Sequence, residues 1–259
     1  MRAAVLVVLI AAAGCAAIVG VKDRTGTVCA RETHDVCEDF DNPGAAHVWN
    51  GPDGGEDPRV VARLVASDES PPNALEIAYP ALDTDASATG LFGQIFQDRS
   101  PDGMKISFDL RVDELGVPDV PLDPPDARPT PLPVSGMAFA IVQWNRGGIA
   151  LAAIADGAYV FLGEREGSSP TPRFDRATRL ATRADFVGRW INVAITFLLS
   201  ASPPAVEVRF GERPGVNPTF DPAVTQITQS IDCLFGGVSI GPTGPNRVTF
   251  DNVKIDFPK

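Results

Sequence analysis

The chain is poor in the residues that most often carry chemistry. Its 259 residues include two His, two Tyr and four Lys. The two histidines, His34 and His47, leave little for a Ser-His-Asp triad, and the G-x-S-x-G nucleophile turn is absent. No C-x-x-C pair exists, which argues against a zinc site. No basic run occurs, and the formal charge is −11 with a pI near 4.6, so a nucleic-acid backbone would be repelled. Helical periodicity is scarce. At 44 % apolar residues the chain is too hydrophobic for a disordered acidic tail.

Glycine and proline are abundant, at 24 each. They punctuate strand-like runs over 36–41, 59–65, 74–79, 89–97, 104–112, 137–144, 149–154, 158–162, 189–199, 205–210, 233–240 and 247–257. Ile106, Phe108, Leu110 and Val112 alternate cleanly onto one face. Val248 and Phe250 are out of step with Val253, Ile255 and Phe257, which predicts a bulge at Asp251-Asn252. About twelve strands predict one all-β, two-sheet antiparallel sandwich over residues 36–259, large enough to need no metal for its core. Residues 117–133 hold seven prolines and read as an extended loop. Residues 164–188, with Arg165, Arg173, Arg176, Arg179 and Arg183 among acids, read as a solvated face ending in a helical turn at 182–188.

The N-terminus reads as an address. Arg2 precedes an apolar run over Ala3–Ala13, too short for the ~20 residues of a spanning helix. Ala12-Ala13-Gly14-Cys15 resembles the lipobox of bacterial lipoproteins, with Ala12 in place of the usual Leu. The resemblance implies a signal peptide over 1–14, acylation of Cys15, and a tether over 15–35. Ala16 rather than Asp after Cys15 is similar to the outer-membrane-sorted class of Gram-negative lipoproteins. Several acyl chains on one terminus anchor stably. Cys29, Cys37 and Cys233 remain, enough for one disulfide and one thiol in an oxidising compartment.

Three further segments carry a resemblance: Cys37-Glu-Asp-Phe-Asp41; Gly188-Arg-Trp-Ile-Asn-Val-Ala-Ile-Thr-Phe-Leu-Leu199 with the strand after it; and the closing Arg247-Val-Thr-Phe-Asp-Asn-Val-Lys-Ile-Asp-Phe257. Their order is similar to concanavalin A-like lectin/glucanase jelly rolls, including the laminin-G-like and family-16 glucanase-like groups. The resemblance implies a jelly roll whose first strand lies beside its last. It also implies a Cys37–Cys233 disulfide, and a structural Ca²⁺ held by Asp39, Asp41, Asp251 and Asn252, since such cations take hard oxygen ligands.

The acidic strand motif of family-16 glucanases, E-x-D-x-E or E-x-D-x-x-E, is absent. Glu76 and Glu207 stand alone in strands, so no catalytic residue is assigned. For sugar binding, an aromatic platform with planar polar groups is the usual solution. Gln143, Trp144, Asn145 and Arg146 at a strand end, with Tyr159 across a hairpin, are the candidate contacts. Trp190 is expected in the core and Trp49 at the end of the sandwich. The expected protein is a monomeric cell-envelope lipoprotein with a non-catalytic domain for carbohydrate or an envelope partner. The alternatives are a divergent glycoside hydrolase or polysaccharide lyase, and a structural surface protein. Acids converging in a groove would favour the enzyme; a sheet face sealed by Ala138, Ala140 and Ala152 would favour the structural protein.

Overall fold

The computed structural model describes residues 29, 33–41, 57–69, 72–83, 86–117, 136–144, 147–154, 157–164, 173–221 and 230–258, those at 173–175 by backbone alone. The proline-rich loop, Cys15, the signal segment, His47 and Trp49 lie outside them.

Among the described residues thirteen strands form two antiparallel sheets, the jelly-roll sandwich expected. In chain order they are β1 (Val36–Glu38), β2 (Val61–Ala66), β3 (Asn73–Tyr79), β4 (Ser87–Gln97), β5 (Lys105–Leu115), β6 (Gly136–Trp144) and β7 (Gly147–Ile154). There follow β8 (Gly157–Glu164), β9 (Arg173–Thr182), β10 (Trp190–Leu198), β11 (Ala205–Phe210), β12 (Ser230–Ile240) and β13 (Asn246–Asp256). One turn of helix, α1 (Arg183–Phe186), follows β9; the Thr182 hydroxyl and the Asp185 carboxylate cap it reciprocally. The seven-stranded sheet runs β11-β10-β5-β13-β3-β2, with β1 also on β13; the six-stranded sheet runs β4-β12-β6-β7-β8-β9.

The first strand does lie beside the last. The same edge of β13 pairs with β3 over Asn246–Phe250 and then with β1 over Val253–Ile255. Between these partners the register slips at Asp251-Asn252, as the sequence predicts, and Asn252 takes the left-handed φ of 49°. The slip lets Val248, Phe250, Val253 and Ile255 all face one core.

That core joins the sheets through aromatic rings. Phe92 packs against Phe40, Phe235 and Phe250 at 5.9, 5.7 and 5.5 Å between centroids, and Phe108 lies 5.3 Å from Phe235. Each such pair contributes roughly 0.5–1.5 kcal/mol beyond its buried area. β12 passes β6 with a bulge at Gly236-Gly237. Gly236 is required there: its φ is 108°, and a Cβ would stand 2.1 Å from the Gly90 carbonyl oxygen.

Three expectations are corrected. The disulfide joins Cys29 to Cys37, with Cα atoms 5.5 Å apart, and Cys233 is a buried free thiol. Cys37 sits on β1 of one sheet, while Cys233 sits on β12 of the other and points into the core. Bringing the first strand to the last therefore does not bring these two sulfurs together. The charged segment after 164 contains a strand, β9, paired along β8 from Glu164 to Gly157. The end of the expected tether is fastened to the domain: His34 Nδ1 donates to the Asp256 carboxylate at 2.9 Å, and Asp35 accepts from the Phe257 N–H at 2.8 Å.

Candidate binding site

The two described tryptophans exchange their expected roles. Trp144 is 2 % exposed and packs edge-on against Phe197 and Phe220, at 5.7 and 5.6 Å, so it offers no surface for stacking. The cause is a register slip between Ala138 and Ala140 in the β6–β7 pairing. Before it Met137 and Phe139 face the core; after it Ala140, Val142 and Trp144 do. An unbroken alternation cannot place both sets on one side.

The other sequence-predicted contacts are not brought together. Gln143 donates to Asp232 Oδ2 at 3.1 Å at one end of the six-stranded sheet. Its row continues through Gly148 to Gly163, whereas Tyr159 stands opposite Ala152, four residues along β8. That is about 13 Å at roughly 3.3 Å per residue. Asn145 and Arg146 lie outside the described residues. Between Gln143 and Tyr159 the outer face of this sheet is apolar: Ala138, Ala150, Ala152, Ile154 and Phe161 are all buried there, with Ile141 and Tyr159 packed against them. Ala140 turns instead into the main core.

The expected metal ligands share one neighbourhood but do not fit a cation. Asp39 accepts from the Cys29 and Asp41 amides, and Asp41 from the Asn73 amide. Asp251 Oδ2 accepts from Ser67 Oγ at 2.9 Å and its Oδ1 from the Asn252 amide at 2.8 Å. Asn252 Nδ2 donates to Asp109. The Asp39, Asp41 and Asp251 carboxylates thus take protein donors, while the buried Asn252 Oδ1 has no hydrogen-bond partner, and no group of three or more His, Cys, Asp or Glu suited to a metal occurs among the described residues. Asp251 is fully buried. Burial pushes its carboxyl up to about 8 against the Ser67 and Asn252 hydrogen bonds, and like charge on Asp109 and Asp41 adds to the rise.

The outer face of the seven-stranded sheet holds the polar constellation. On β10, Val193, Ile195 and Phe197 are buried in the core, which turns Trp190 and Asn192 outward. Trp190 stands opposite Arg111 on β5, Arg111 opposite Thr249 on β13, Thr249 opposite Glu76 on β3, and Glu76 opposite Arg63 on β2. This row crosses five strands, about 19 Å at roughly 4.8 Å per strand.

Trp190 anchors one end. Its indole Nε1 donates to Asp68 Oδ1 at 2.8 Å. The Arg111 guanidinium lies over its ring, 4.8 Å from the centroid, a cation–π contact. Arg111 Nη1 donates to the same Asp68 oxygen at 3.2 Å. Its Nε lies 2.7 Å from Asp113 Oδ1 at an angle that makes an ion pair rather than a hydrogen bond. The indole N–H, the residue's own amide and the Arg111 charge hold the Asp68 carboxyl below its usual range. In the next row Asn192 Nδ2 donates to Asp109 Oδ1 at 2.8 Å. Past Trp190 on the other side no described strand continues, because β11 ends where Phe210 pairs with Val193.

Sequence reasoning missed this site although the signal was present. In Trp190–Leu199 the apolar residues Ile191, Val193, Ile195 and Phe197 occupy odd positions, which leaves Trp190 with Asn192 and Thr196 on the other face.

No protein-family model matches the chain, and no curated protein matches it. Solved structures do. The endo-β-1,4-glucuronan lyase of the fungus Trichoderma reesei superposes with a TM-score of 0.59 at 13 % identity, over 87 % of this chain and 96 % of that one. A structure described with endo-acting O-glycanases of the human gut microbiota that initiate mucin breakdown gives 0.52 at 11 % identity, over 88 % and 100 %. The cellulose-induced protein Cip1 gives 0.50 at 14 % identity, over 85 % and 96 %. The likeness is one of fold.

Proposed function

We propose that this chain is a cell-envelope lipoprotein whose sandwich is a non-catalytic carbohydrate-binding domain, with its contacts around Trp190 on the seven-stranded sheet. The observation that carries the reading is an outward indole set among planar hydrogen-bonding groups, Asp68, Arg111 and Asn192, at the end of a strand. A sugar ring stacks on the indole, and its hydroxyls donate to Asp68 and accept from Arg111 and Asn192. Carbohydrate is also the theme of the structures with the same fold, one named for glucuronan and another for mucin O-glycans.

Binding without hydrolysis suits the acids among the described residues. Glycoside hydrolysis needs a carboxyl kept protonated within reach of the substrate. Among the described acids, burial raises the carboxyls of Asp251, which is fully buried, and of half-buried Asp41, whose Oδ1 is taken by the Asn73 amide, while exposed Asp68 is held ionised. The anchor is part of the proposal: acylated Cys15 leads through a short segment to the Cys29–Cys37 loop, where the domain begins. Mass spectrometry of the mature N-terminus tests it; an acylated Cys15 is expected, and a free amine at another residue counts against it.

Glycan-array binding by the wild type and by Trp190→Ala tests the site. Loss of binding in the variant, with an unchanged circular dichroism spectrum, is the expected result; binding that survives removes the proposal. A second reading, a structural surface protein with no small ligand, is favoured by the buried alanines on the outer face of the six-stranded sheet. It predicts no glycan binding by either protein.

A further inference from the structure

The charges around Trp190 select among glycans, an inference that rests on the carbohydrate reading. Next to the indole stand three carboxylates on this face, Asp68, Asp109 and Asp113, and one guanidinium, Arg111; farther along the row Arg63 is paired with Glu76. The donors to Asp109 are the side-chain amides of Asn192 and Asn252, which satisfy its oxygens and leave its charge uncompensated. Asp68 is 79 % exposed at its side chain, so it keeps acceptor capacity toward a ligand. The site already shows which charge it accepts, because Arg111 is held there by the ring face of Trp190 and by two carboxylates. A quadrupolar ring beside more carboxylate than guanidinium charge attracts a cation and repels an anion. The chain's overall charge of −11 acts in the same direction at longer range.

We infer that the ligand is an amine-bearing glycan, with a protonated hexosamine amine seated between Trp190, Asp68 and Asp109, and that uronate glycans are rejected. The selectivity is opposite to that suggested by the glucuronan-degrading enzyme of the same fold.

Titration calorimetry of the full mature chain with three tetrasaccharides, of glucosamine, of N-acetylglucosamine and of glucuronate, tests this at a pH where the amine is protonated. Glucosamine tetramer is expected to bind at least about tenfold more tightly than either other ligand, roughly one charge-assisted hydrogen bond's worth. Trp190→Ala, which changes no charge, should abolish binding, and Trp190→Phe should retain part of it. Asp109→Asn should weaken the amine ligand several-fold, whereas Glu212→Gln, an exposed acid outside the row, should not. Non-specific attraction of a cation to an acidic protein would respond equally to both neutralisations and to neither tryptophan change, and would overturn the inference. Glucuronate or N-acetylglucosamine tetramer binding as well as the amine, with Trp190 still required, would overturn the charge selectivity while leaving the carbohydrate site in place. No binding of any tetramer would remove both.

Discussion

Trp190 and Asp68 are 122 residues apart in sequence and share one hydrogen bond, indole Nε1 to Oδ1 at 2.8 Å. Asp68 follows the edge strand β2, while Trp190 opens β10, and Arg111 of β5 bonds the same carboxylate oxygen. Neighbouring Ser67 bonds Asp251 of β13. The turn after β2 is therefore tied to three other strands of its own sheet, and this contact orients the indole.

Asp68→Ala should release the indole while hardly changing stability. The carboxylate is largely exposed, and substitutions at such positions usually stay within about 0.5 kcal/mol. Acrylamide quenching of tryptophan fluorescence is expected to increase, with Trp190→Phe identifying the emitting residue. Unaltered quenching would show that the contact does not order the ring.

Trp144→Ala should behave as a core mutation. Removing a fully buried indole from between Phe197 and Phe220 is expected to lower stability by about 3–5 kcal/mol. Urea unfolding measures the loss. Any Trp144→Ala protein that remains folded should bind glycan as the wild type does.

Asp251 makes stability fall as pH rises. Its folded pKa is about 8, above the ordinary carboxylate value of 3.8. Between these values the folded state holds a proton that the unfolded state has released. The contribution is complete below the unfolded value and is lost as pH climbs through the folded one. Thermal melts from pH 4 to 9 should show a decline that Asp251→Asn flattens, with the variant more stable than wild type near pH 8. Parallel curves for the two proteins would show that Asp251 is ionised in the fold.

The cysteines make a separate prediction. Non-reducing peptide mapping should recover Cys29 linked to Cys37, with Cys233 unmodified by iodoacetamide until the protein unfolds. Cys233 is buried in β12, and burial pushes its thiol up, out of reach and out of its reactive form. Cys37→Ser should cost about 2–3 kcal/mol, the loop-closure value for a loop this short.

Much of the architecture was legible along the chain because strand alternation is local. The run at 104–112 reads directly as β5, and the out-of-step halves of 247–257 reveal the bulge at Asp251-Asn252 without any structure. β9 was hidden because Arg173, Arg176 and Arg179 mark it as surface; an edge strand at the end of a sheet carries charges without losing its pairing. The Trp144 site failed because the slip at Ala138–Ala140 leaves no gap in apolar character, so nothing in the run announces the change of face.

The sequence by itself determined an all-β sandwich and an exterior too acidic for nucleic acid; the adjacency of the first and last strands came only from the resemblance to concanavalin A-like jelly rolls. The sandwich and the acidity follow from composition and from alternation at a period of two, which neighbouring residues decide among themselves. Only the tertiary structure decided which tryptophan faces water, which cysteine Cys37 meets, and that Asp68 reaches Trp190. Each depends on how strands far apart in sequence register against one another, and one residue of slip reverses the face of every side chain beyond it.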